Sequence, residues 1–194
     1  INITILQDLP ALLKPRITAL VTLTAFVGVW LATKGNLPLP QTFFVLFGIA
    51  MASSASNVFN NYFDRHIDAL MSRTKNRPLA AGRIKPWKAL VLAMLFTFGA
   101  CWLLVQFGNW LAAVLTIVTI FVYIFVYTLW LKRNSPLCTS IGGISGALPP
   151  VISTVAITGQ ISPSALVLFA VLFLWQPPHF WALALLRVEE YRQA

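Results

Sequence analysis

The sequence predicts an all-α protein, a bundle of transmembrane helices that pack around a central cavity. Two observations support this prediction. Hydrophobic residues make up 58% of the 194 residues and charged residues only 10%, whereas soluble domains contain about 25% charged residues. The charged residues also lie in the connections between long apolar stretches. We therefore expect one membrane domain over residues 1–194.

Six stretches are long enough to cross ~30 Å of hydrocarbon as helices, and none of them contains Asp, Glu, Lys or Arg. In chain order they are Ile17–Thr33, Gln41–Asn61, Ala89–Phe107, Leu111–Leu131, Thr139–Thr158 and Ser164–Leu186. Pro149-Pro150 and Pro177-Pro178 lie inside the last two stretches, where we expect interrupted helices because proline lacks an N–H donor. Small residues at 50–56 and 142–147 predict close contacts between helices.

The basic residues predict which ends of the helices face the cytoplasm. Of the fourteen, only Lys34 lies on one side of the predicted spans, and the other thirteen lie on the opposite side. The positive-inside rule places these thirteen, and the N-terminus, in the cytoplasm. Topology therefore accounts for the net charge of +9, so we expect a lipid bilayer and no nucleic acid as partner. We expect no cleavable signal peptide, and we expect Cys101 and Cys138 to be packing residues.

A polar face ends the second stretch. Asn60, Asp64 and Asp68 recur at every fourth position and would line one face of a helix, with Asn57 and Asn61 beside them. Mg²⁺ in proteins takes oxygen ligands, usually one or two carboxylates together with substrate phosphates. We predict that Asn60, Asp64 and Asp68 hold Mg²⁺ and a diphosphate, and that Asn57 and Asn61 contribute to substrate binding. The alternative is a solvated helix end paired with neighbouring arginines.

Basic residues on the same side could bind that diphosphate. Arg73, Lys75 and Arg77 lie in the loop after the second stretch, and Lys132 and Arg133 follow the fourth. Cations in these positions could neutralise the phosphate oxygens and stabilise the diphosphate as a leaving group. The alternatives are an ordinary cytoplasmic loop and, for Lys132-Arg133, an anchor of topology alone.

A histidine between aromatic residues marks the sixth stretch. Trp175, His179 and Trp181 flank the second proline pair, which suggests contact with a flat apolar molecule or a proton-handling group. A buried structural histidine is the alternative. Glu189 and Glu190 follow and could form a second metal site or a solvated helix end. These features together indicate ionisation of a polyprenyl diphosphate beside an apolar cavity.

The chain resembles the UbiA superfamily of intramembrane prenyltransferases. Asn60-xxx-Asp64-xxx-Asp68 is similar to the first aspartate-rich motif of that superfamily. Four blocks are similar to the branch whose acceptor is haem, at residues 13–16, 62–79, 141–150 and 175–184. The resemblance implies nine transmembrane helices, so the six found here would form a domain truncated at its C-terminus. His66 departs from the family, which often has an aspartate there.

The resemblance also implies a reaction, the transfer of a farnesyl group from farnesyl diphosphate to a vinyl group of haem B. Haem B would be a substrate, and the product would be haem O for terminal oxidases. The motif residues would bind Mg²⁺, Lys132 and Arg133 would act with them in catalysis, and the block around His179 would contact the porphyrin. Other acceptors in the superfamily are aromatic quinone precursors, against which the His179 block argues.

The expected location is a bacterial inner membrane, which we favour over the mitochondrial inner membrane. The expected partners include haem A synthase or an assembly factor of a terminal oxidase. A function without turnover stays open beside the enzymatic ones, because kinked spans and buried polar groups also occur in membrane carriers of haem or lipid.

Overall fold

Apolar, charge-free stretches of the chain form long helices, and proline begins several of them. The computed structural model describes residues 3–135, 137–186 and 188, and within these ranges it contains helices and no β-strand. The helical elements are α1 (Ile3–Leu13), α2 (Pro15–Ala32), α3 (Leu39–Asp68), α4 (Pro86–Phe107), α5 (Trp110–Phe121), a π-helical segment (Val122–Leu131), α6 (Lys132–Asn134), α7 (Cys138–Ala147), α8 (Pro149–Thr158) and α9 (Pro163–Leu185).

Six helical stretches of the described chain are long and apolar enough to cross a membrane, which confirms the six predicted spans. They are α2, α3, α4, α5 continued by the π-helical segment, α7 continued by α8, and α9. Helix α3 extends beyond the predicted end at Asn61 to Asp68. The whole polar face of the second span is therefore helical. Cys101 and Cys138 are partly buried free thiols, and their role in packing stays a prediction.

The two proline pairs have different effects. Pro149-Pro150 separates α7 from α8, as predicted. The predicted interruption at Pro177-Pro178 is wrong, because α9 continues through both prolines. In membrane helices, neighbouring groups can satisfy the backbone carbonyls that proline frees. Just before the pair, the side-chain amide of Gln176 donates to the carbonyls of Leu172 (3.2 Å) and of Gly143 in α7 (3.1 Å). This turn of α9 is thus tied to its neighbour.

Close approach of the backbones is the main feature of the packing. Helix α3 packs against α4, α2, α1 and the π-helical segment, and α2 also packs against α8. A Cβ atom at Gly28 of α2 would lie 2.7 Å from the carbonyl oxygen of Pro150, and one at Gly142 would overlap the Tyr127 ring. The glycines at these two positions therefore serve helix contact, as their small size predicts.

Replacing Gly28 with valine should destabilise the bundle, because the added side chain has no space against Pro150. Overpacking of this kind typically costs about 1–3 kcal/mol. Thermal unfolding of the full-length protein in detergent would measure the loss. Val27→Ile adds a methyl group on the exposed side of the same helix and should leave the unfolding temperature unchanged. Equal unfolding temperatures for Gly28→Val and wild type would contradict this packing.

Candidate active site

Helix α3 turns a row of polar side chains into the protein instead of toward lipid. Asn57, Asn60, Asn61, Asp64 and Asp68 are all buried. The spacing of four residues predicted one shared face for Asn60, Asp64 and Asp68, and the structure brings these three together. Each therefore needs a polar partner, because a buried polar group without one is costly.

Asp64 is the most deeply buried carboxylate of this row, with 1% of its surface exposed. Its Oδ2 atom accepts a hydrogen bond from Asn60 Nδ2 at 2.8 Å and one from Lys132 Nζ at 2.6 Å. Its Oδ1 atom is buried and has no hydrogen-bond partner among the described residues. The predicted cation Lys132 thus neutralises this carboxylate, and one oxygen remains available to a ligand.

The π-helical segment positions Lys132. Residues 122–131 have the wider helical register, and the hydroxyl of Thr128 donates to the carbonyl of Tyr123, five residues earlier (2.8 Å). π-helical turns are rare and often occur at functional sites. The segment ends at Leu131, so its register sets the direction in which the next side chain, Lys132, leaves the helix. The sequence did not predict this segment.

Asp68 is paired with a cation from the loop that follows it. Arg77 Nη1 lies 2.7 Å from Asp68 Oδ2, and the hydroxyl of Thr74 donates to the backbone carbonyl of Asp68 (2.9 Å). The loop therefore folds back over the end of α3. Arg73 and Lys75, predicted with Arg77, are exposed, and the side chain of Arg133 lies outside the described residues.

Arginines next to the polar face do not turn it into a solvated helix end. Arg65 donates to the carbonyl of Tyr62 at 2.7 Å and lies over the Tyr62 ring. Its charge is thus engaged away from the two carboxylates. His66, where the family often has aspartate, is exposed.

Asn57 and Asn61 hold the end of α1. Asn57 Nδ2 donates to the carbonyl of Leu13 (3.4 Å), and Asn61 Nδ2 donates to the carbonyls of Leu12 (3.4 Å) and Asn57 (2.8 Å). The last carbonyls of a helix have no partner within it, so these amides complete the C-terminus of α1. Their predicted role in substrate binding stays a prediction. Helix α1 itself was not predicted.

Lys14, which the sequence analysis included in the block at residues 13–16 but did not predict as a site residue, also reaches the site. It forms the elbow between α1 and α2, with φ at 51°, a left-handed conformation that costs an ordinary L-residue roughly 1–2 kcal/mol. Its Nζ lies 3.4 Å from Asn60 Oδ1. Burial lowers the pKa of Lys14 to about 8, with Arg77 lowering it further and Asp68 opposing. Nothing in the spacing of the sequence could bring a residue 46 positions away to Asn60.

The aromatic block of α9 is exposed. The rings of Trp175 and His179 stack with centroids 4.3 Å apart and planes 16° from parallel, and Trp181 is about half exposed. His179 is exposed, so the alternative of a buried structural histidine is wrong. Among the described residues, no hydrogen bond or ring contact joins this pair to the carboxylates of α3. Glu189 and Glu190 lie outside the described residues.

A groove of about 580 Å³ runs between α2 and α3, beside the elbow at Lys14. Its lining is mostly apolar and consists of Leu13, Pro15, Thr18, Ala19, Thr22, Leu23, Phe26, Ala50 and Ser54. Leu13 lines the groove and also contacts the polar face of α3, because its backbone carbonyl accepts a hydrogen bond from Asn57. An apolar surface and a charged site are thus adjacent.

The oxygens of Asn60, Asp64 and Asp68 fit a hard cation such as Mg²⁺. Asp64 Oδ1, buried and without a hydrogen-bond partner in the described chain, is an acceptor for such an ion. The described residues contain no group of three or more His, Cys, Asp or Glu side chains that could hold a metal alone. Two carboxylates and one amide oxygen are a donor set for a metal whose remaining ligands come from a substrate and from water.

A sequence profile of the UbiA prenyltransferase family matches residues 21–194 of this chain. The chain belongs to the UbiA prenyltransferase family. Protoheme IX farnesyltransferase of Symbiobacterium thermophilum is 43% identical over 190 residues, 98% of this chain and 63% of that protein. The protein of the same name from Beijerinckia indica is 46% identical over 188 residues, 97% of this chain and 58% of that protein. The chain thus spans about three fifths of these relatives.

Solved structures confirm the fold of this UbiA family member. One of digeranylgeranylglyceryl phosphate synthase aligns with a TM-score of 0.76 at 20% identity, covering 87% of this chain and 58% of that one. A UbiA homolog from Archaeoglobus fulgidus bound to GPP and Mg²⁺ aligns with a TM-score of 0.70 at 19% identity, covering 89% and 62%. Both support the predicted membrane bundle.

Removing Lys132 should destabilise the protein, because the buried carboxylate of Asp64 would lose its ion-pair partner. We expect Lys132→Met to lower the free energy of unfolding by about 1–3 kcal/mol, the penalty for a buried polar group that loses its partner. Adding Asp64→Asn to Lys132→Met should recover most of that loss. Denaturant unfolding of the wild type, both single variants and the double variant would measure the coupling. Simply additive effects would contradict the pairing.

Proposed function

We propose that this protein transfers a farnesyl group from farnesyl diphosphate to a vinyl group of haem B and so forms haem O. The observation that carries the proposal is the buried Asp64, whose Oδ2 is held by Lys132 and Asn60 while Oδ1 has no partner in the described chain. Relatives named protoheme IX farnesyltransferase, 43% to 46% identical, support this donor and acceptor.

Asn60, Asp64 and Asp68 would hold Mg²⁺ in this reaction. When bound, the ion would neutralise charge on the diphosphate as it leaves. The A. fulgidus homolog bound to GPP and Mg²⁺ supports a metal with a prenyl diphosphate on this fold. The chain's own contribution is a pair of carboxylates fixed one helical turn apart and shielded from bulk water.

Lys132 and Arg77 would bind the phosphate oxygens. Their side chains are 36% and 27% exposed, so each can pair with a buried carboxylate and still reach a molecule arriving from water. Preorganised cations stabilise the charge that develops when the diphosphate oxygen takes the electron pair of the bond to farnesyl carbon C1. Arg133, Arg73 and Lys75 stay predictions for the same role.

The allylic cation left by this cleavage would react with the acceptor. The vinyl group of haem B supplies the electron pair for the new carbon–carbon bond. Water then adds to the resulting cation and loses a proton, which leaves a hydroxyethylfarnesyl group. The groove between α2 and α3 supports a place for the farnesyl tail, because its mostly apolar lining begins at Leu13, beside the site.

The acceptor would bind near the aromatic block of α9. The stacked rings of Trp175 and His179 present flat surfaces, and Trp181 lies close by in the sequence. Three spans lie between α3 and α9, so these two helices run in the same direction. Both carry these residues toward their C-terminal ends. Farnesyl donor and porphyrin would therefore meet at the same end of the bundle.

We infer that this end faces the cytoplasm of a bacterial inner membrane, with the N-terminus on the same side. Thirteen of the fourteen basic residues support this orientation. Haem O is hydrophobic and would pass to another membrane protein, so the proposal includes a complex with haem A synthase or a terminal oxidase assembly factor.

Asp64→Asn should abolish haem O formation while the protein still folds, because the carboxamide removes the negative charge that attracts the metal. Mass spectrometry of haem extracted from cells that express the full-length protein would measure the farnesylated product. His66→Gln, an exposed change on the same helix, should leave the amount unchanged. Full haem O production by Asp64→Asn would overturn the metal assignment.

Purified membranes with labelled farnesyl diphosphate would decide between acceptors. We expect label in haem when haem B is supplied, and none in an aromatic quinone precursor such as a hydroxybenzoate. Transfer to the aromatic acid alone would assign the protein to the other acceptor class. If the protein binds haem with an affinity that does not depend on Mg²⁺ or diphosphate, and transfers no farnesyl group, it is a carrier.

A further inference from the structure

An ion pair outside the candidate active site joins helix α1 to the loop between α3 and α4. The carboxylate of Asp8 accepts hydrogen bonds from Arg83 Nε at 3.1 and 3.0 Å and from Arg83 Nη2 at 2.9 Å. A forked contact of this kind is stronger and more directional than a single hydrogen bond. Asp8 is buried and Arg83 is exposed. Neither residue is among the groups that would bind the metal or the diphosphate.

The loop carries two arginines that bind two different helices. Arg77 pairs with Asp68 at the end of α3, and Arg83 pairs with Asp8 of α1. The whole sequence has only five acidic residues, and two of them hold this loop. The loop is therefore attached at one point inside the site and at one point outside it.

Backbone hydrogen bonds make residues 76–84 a compact turn, so its two attachment points move together. The amide of Ala81 donates to the carbonyl of Arg77 at 2.8 Å, and the amide of Arg83 donates to the carbonyl of Pro78 at 2.9 Å. Gly82 has φ at 71°, a left-handed conformation that glycine adopts at no steric cost. The chain reverses there, immediately before Arg83.

The guanidinium of Arg83 also reaches the backbone beside Arg77. Its Nη2 donates to the carbonyl of Asn76 at 2.9 Å, and that carbonyl belongs to the peptide bond that leads into Arg77. Arginine can make both contacts because its five N–H donors have a fixed, forked geometry. Asp8 of α1 is therefore linked through one side chain to the backbone that carries Arg77.

Apolar contacts also support the turn. Leu79 is buried in a cluster with Leu12 of α1 and Val58 of α3. The hydrophobic effect is non-directional, so these contacts hold the turn on the bundle without fixing the direction in which Arg77 points. The pair of Asp8 and Arg83 supplies a directional contact outside the site.

We propose that Asp8 and Arg83 are positioning residues for Arg77, and that their ion pair holds the loop while Arg77 turns from Asp68 to the diphosphate. This rests on the proposed function, since it assumes that Arg77 binds phosphate oxygens. In a protein without the pair, the side chain of Arg77 would have to hold the loop on Asp68 and bind the phosphate as well.

Calorimetry on the full-length protein in detergent, with inorganic pyrophosphate and Mg²⁺ as the probe, tests this role. We expect Arg77→Gln to weaken pyrophosphate binding about 10- to 100-fold, as for loss of a hydrogen bond between charged groups. Asp8→Asn and Arg83→Gln should each weaken it about 3- to 10-fold, because Arg77 remains but is less well held. Lys85→Gln removes an exposed charge from the same loop and should stay within about twofold of wild type.

A double variant separates positioning from an independent effect on the site. When Arg77→Gln and Arg83→Gln are combined, no Arg77 is left to position. The double variant should therefore bind pyrophosphate as weakly as Arg77→Gln alone. Independent residues would instead give additive losses of binding free energy. Additive losses would overturn the proposal.

Hydrogen exchange measured by mass spectrometry reports on the loop itself. Peptides that cover residues 76–84 should exchange faster in Asp8→Asn and Arg83→Gln than in wild type and Lys85→Gln, because opening of the turn exposes its bonded amides. Peptides from the membrane spans should exchange as in wild type. Equal acceleration in the spans would show general destabilisation, and the positioning role would then be wrong.

Failure of this proposal can be distinguished from failure of the proposed function. If wild type binds pyrophosphate with Mg²⁺ and makes haem O, and Asp8→Asn and Arg83→Gln bind pyrophosphate as tightly, only the positioning role fails. If wild type shows no magnesium-dependent binding of pyrophosphate and makes no haem O, the proposed function fails and the positioning role fails with it.

Discussion

The contact between Lys132 and Asp64 is the interaction on which the rest of this site depends. Removing a carboxylate from water costs several kcal/mol, and a cation with additional hydrogen bonds must replace the lost solvent. Lys132 supplies the charge and Asn60 the additional hydrogen bond. Two spans that are far apart in sequence must therefore meet at this end of the bundle. The same arrangement repeats one turn later with Asp68 and Arg77.

The polar face of α3 contains two kinds of side chain, carboxamides and carboxylates, and they have different roles. Carboxamides can donate hydrogen bonds, so Asn57 and Asn61 can hold the backbone carbonyls of α1 without adding charge. Ionised carboxylates only accept, so Asp64 and Asp68 attract cations from other elements. One helix thereby holds the backbone of α1 on one side and attracts the cations of Lys132 and Arg77 on the other. The shared boundary is Asn60, which contacts both Lys14 and Asp64.

Periodicity and hydropathy were sufficient for the spans and for the Asn60–Asp64–Asp68 face, because both are local properties of a helix. The partners of that face were harder to predict. Lys132 lies 68 residues from Asp64, and its basic character fitted an anchor of topology equally well. The contact of Lys14 with Asn60, and those of Asn57 and Asn61 with the end of α1, depend on tertiary packing that leaves no spacing in the sequence. The continuous helix through Pro177-Pro178 was missed because proline removes a local hydrogen bond without deciding whether the helix ends, and membrane helices tolerate it.

The π-helical segment has a genetic consequence. Successive side chains point in different directions around any helix axis, so a residue lost or gained within 122–131 would rotate Lys132 away from Asp64. The segment would nevertheless stay apolar and long enough to span. Substitutions there change only the side chains that face lipid or neighbouring helices. Selection should therefore remove in-frame deletions of single codons in this segment far more strictly than missense changes. Alignments of relatives should show a constant length here even where the residues differ.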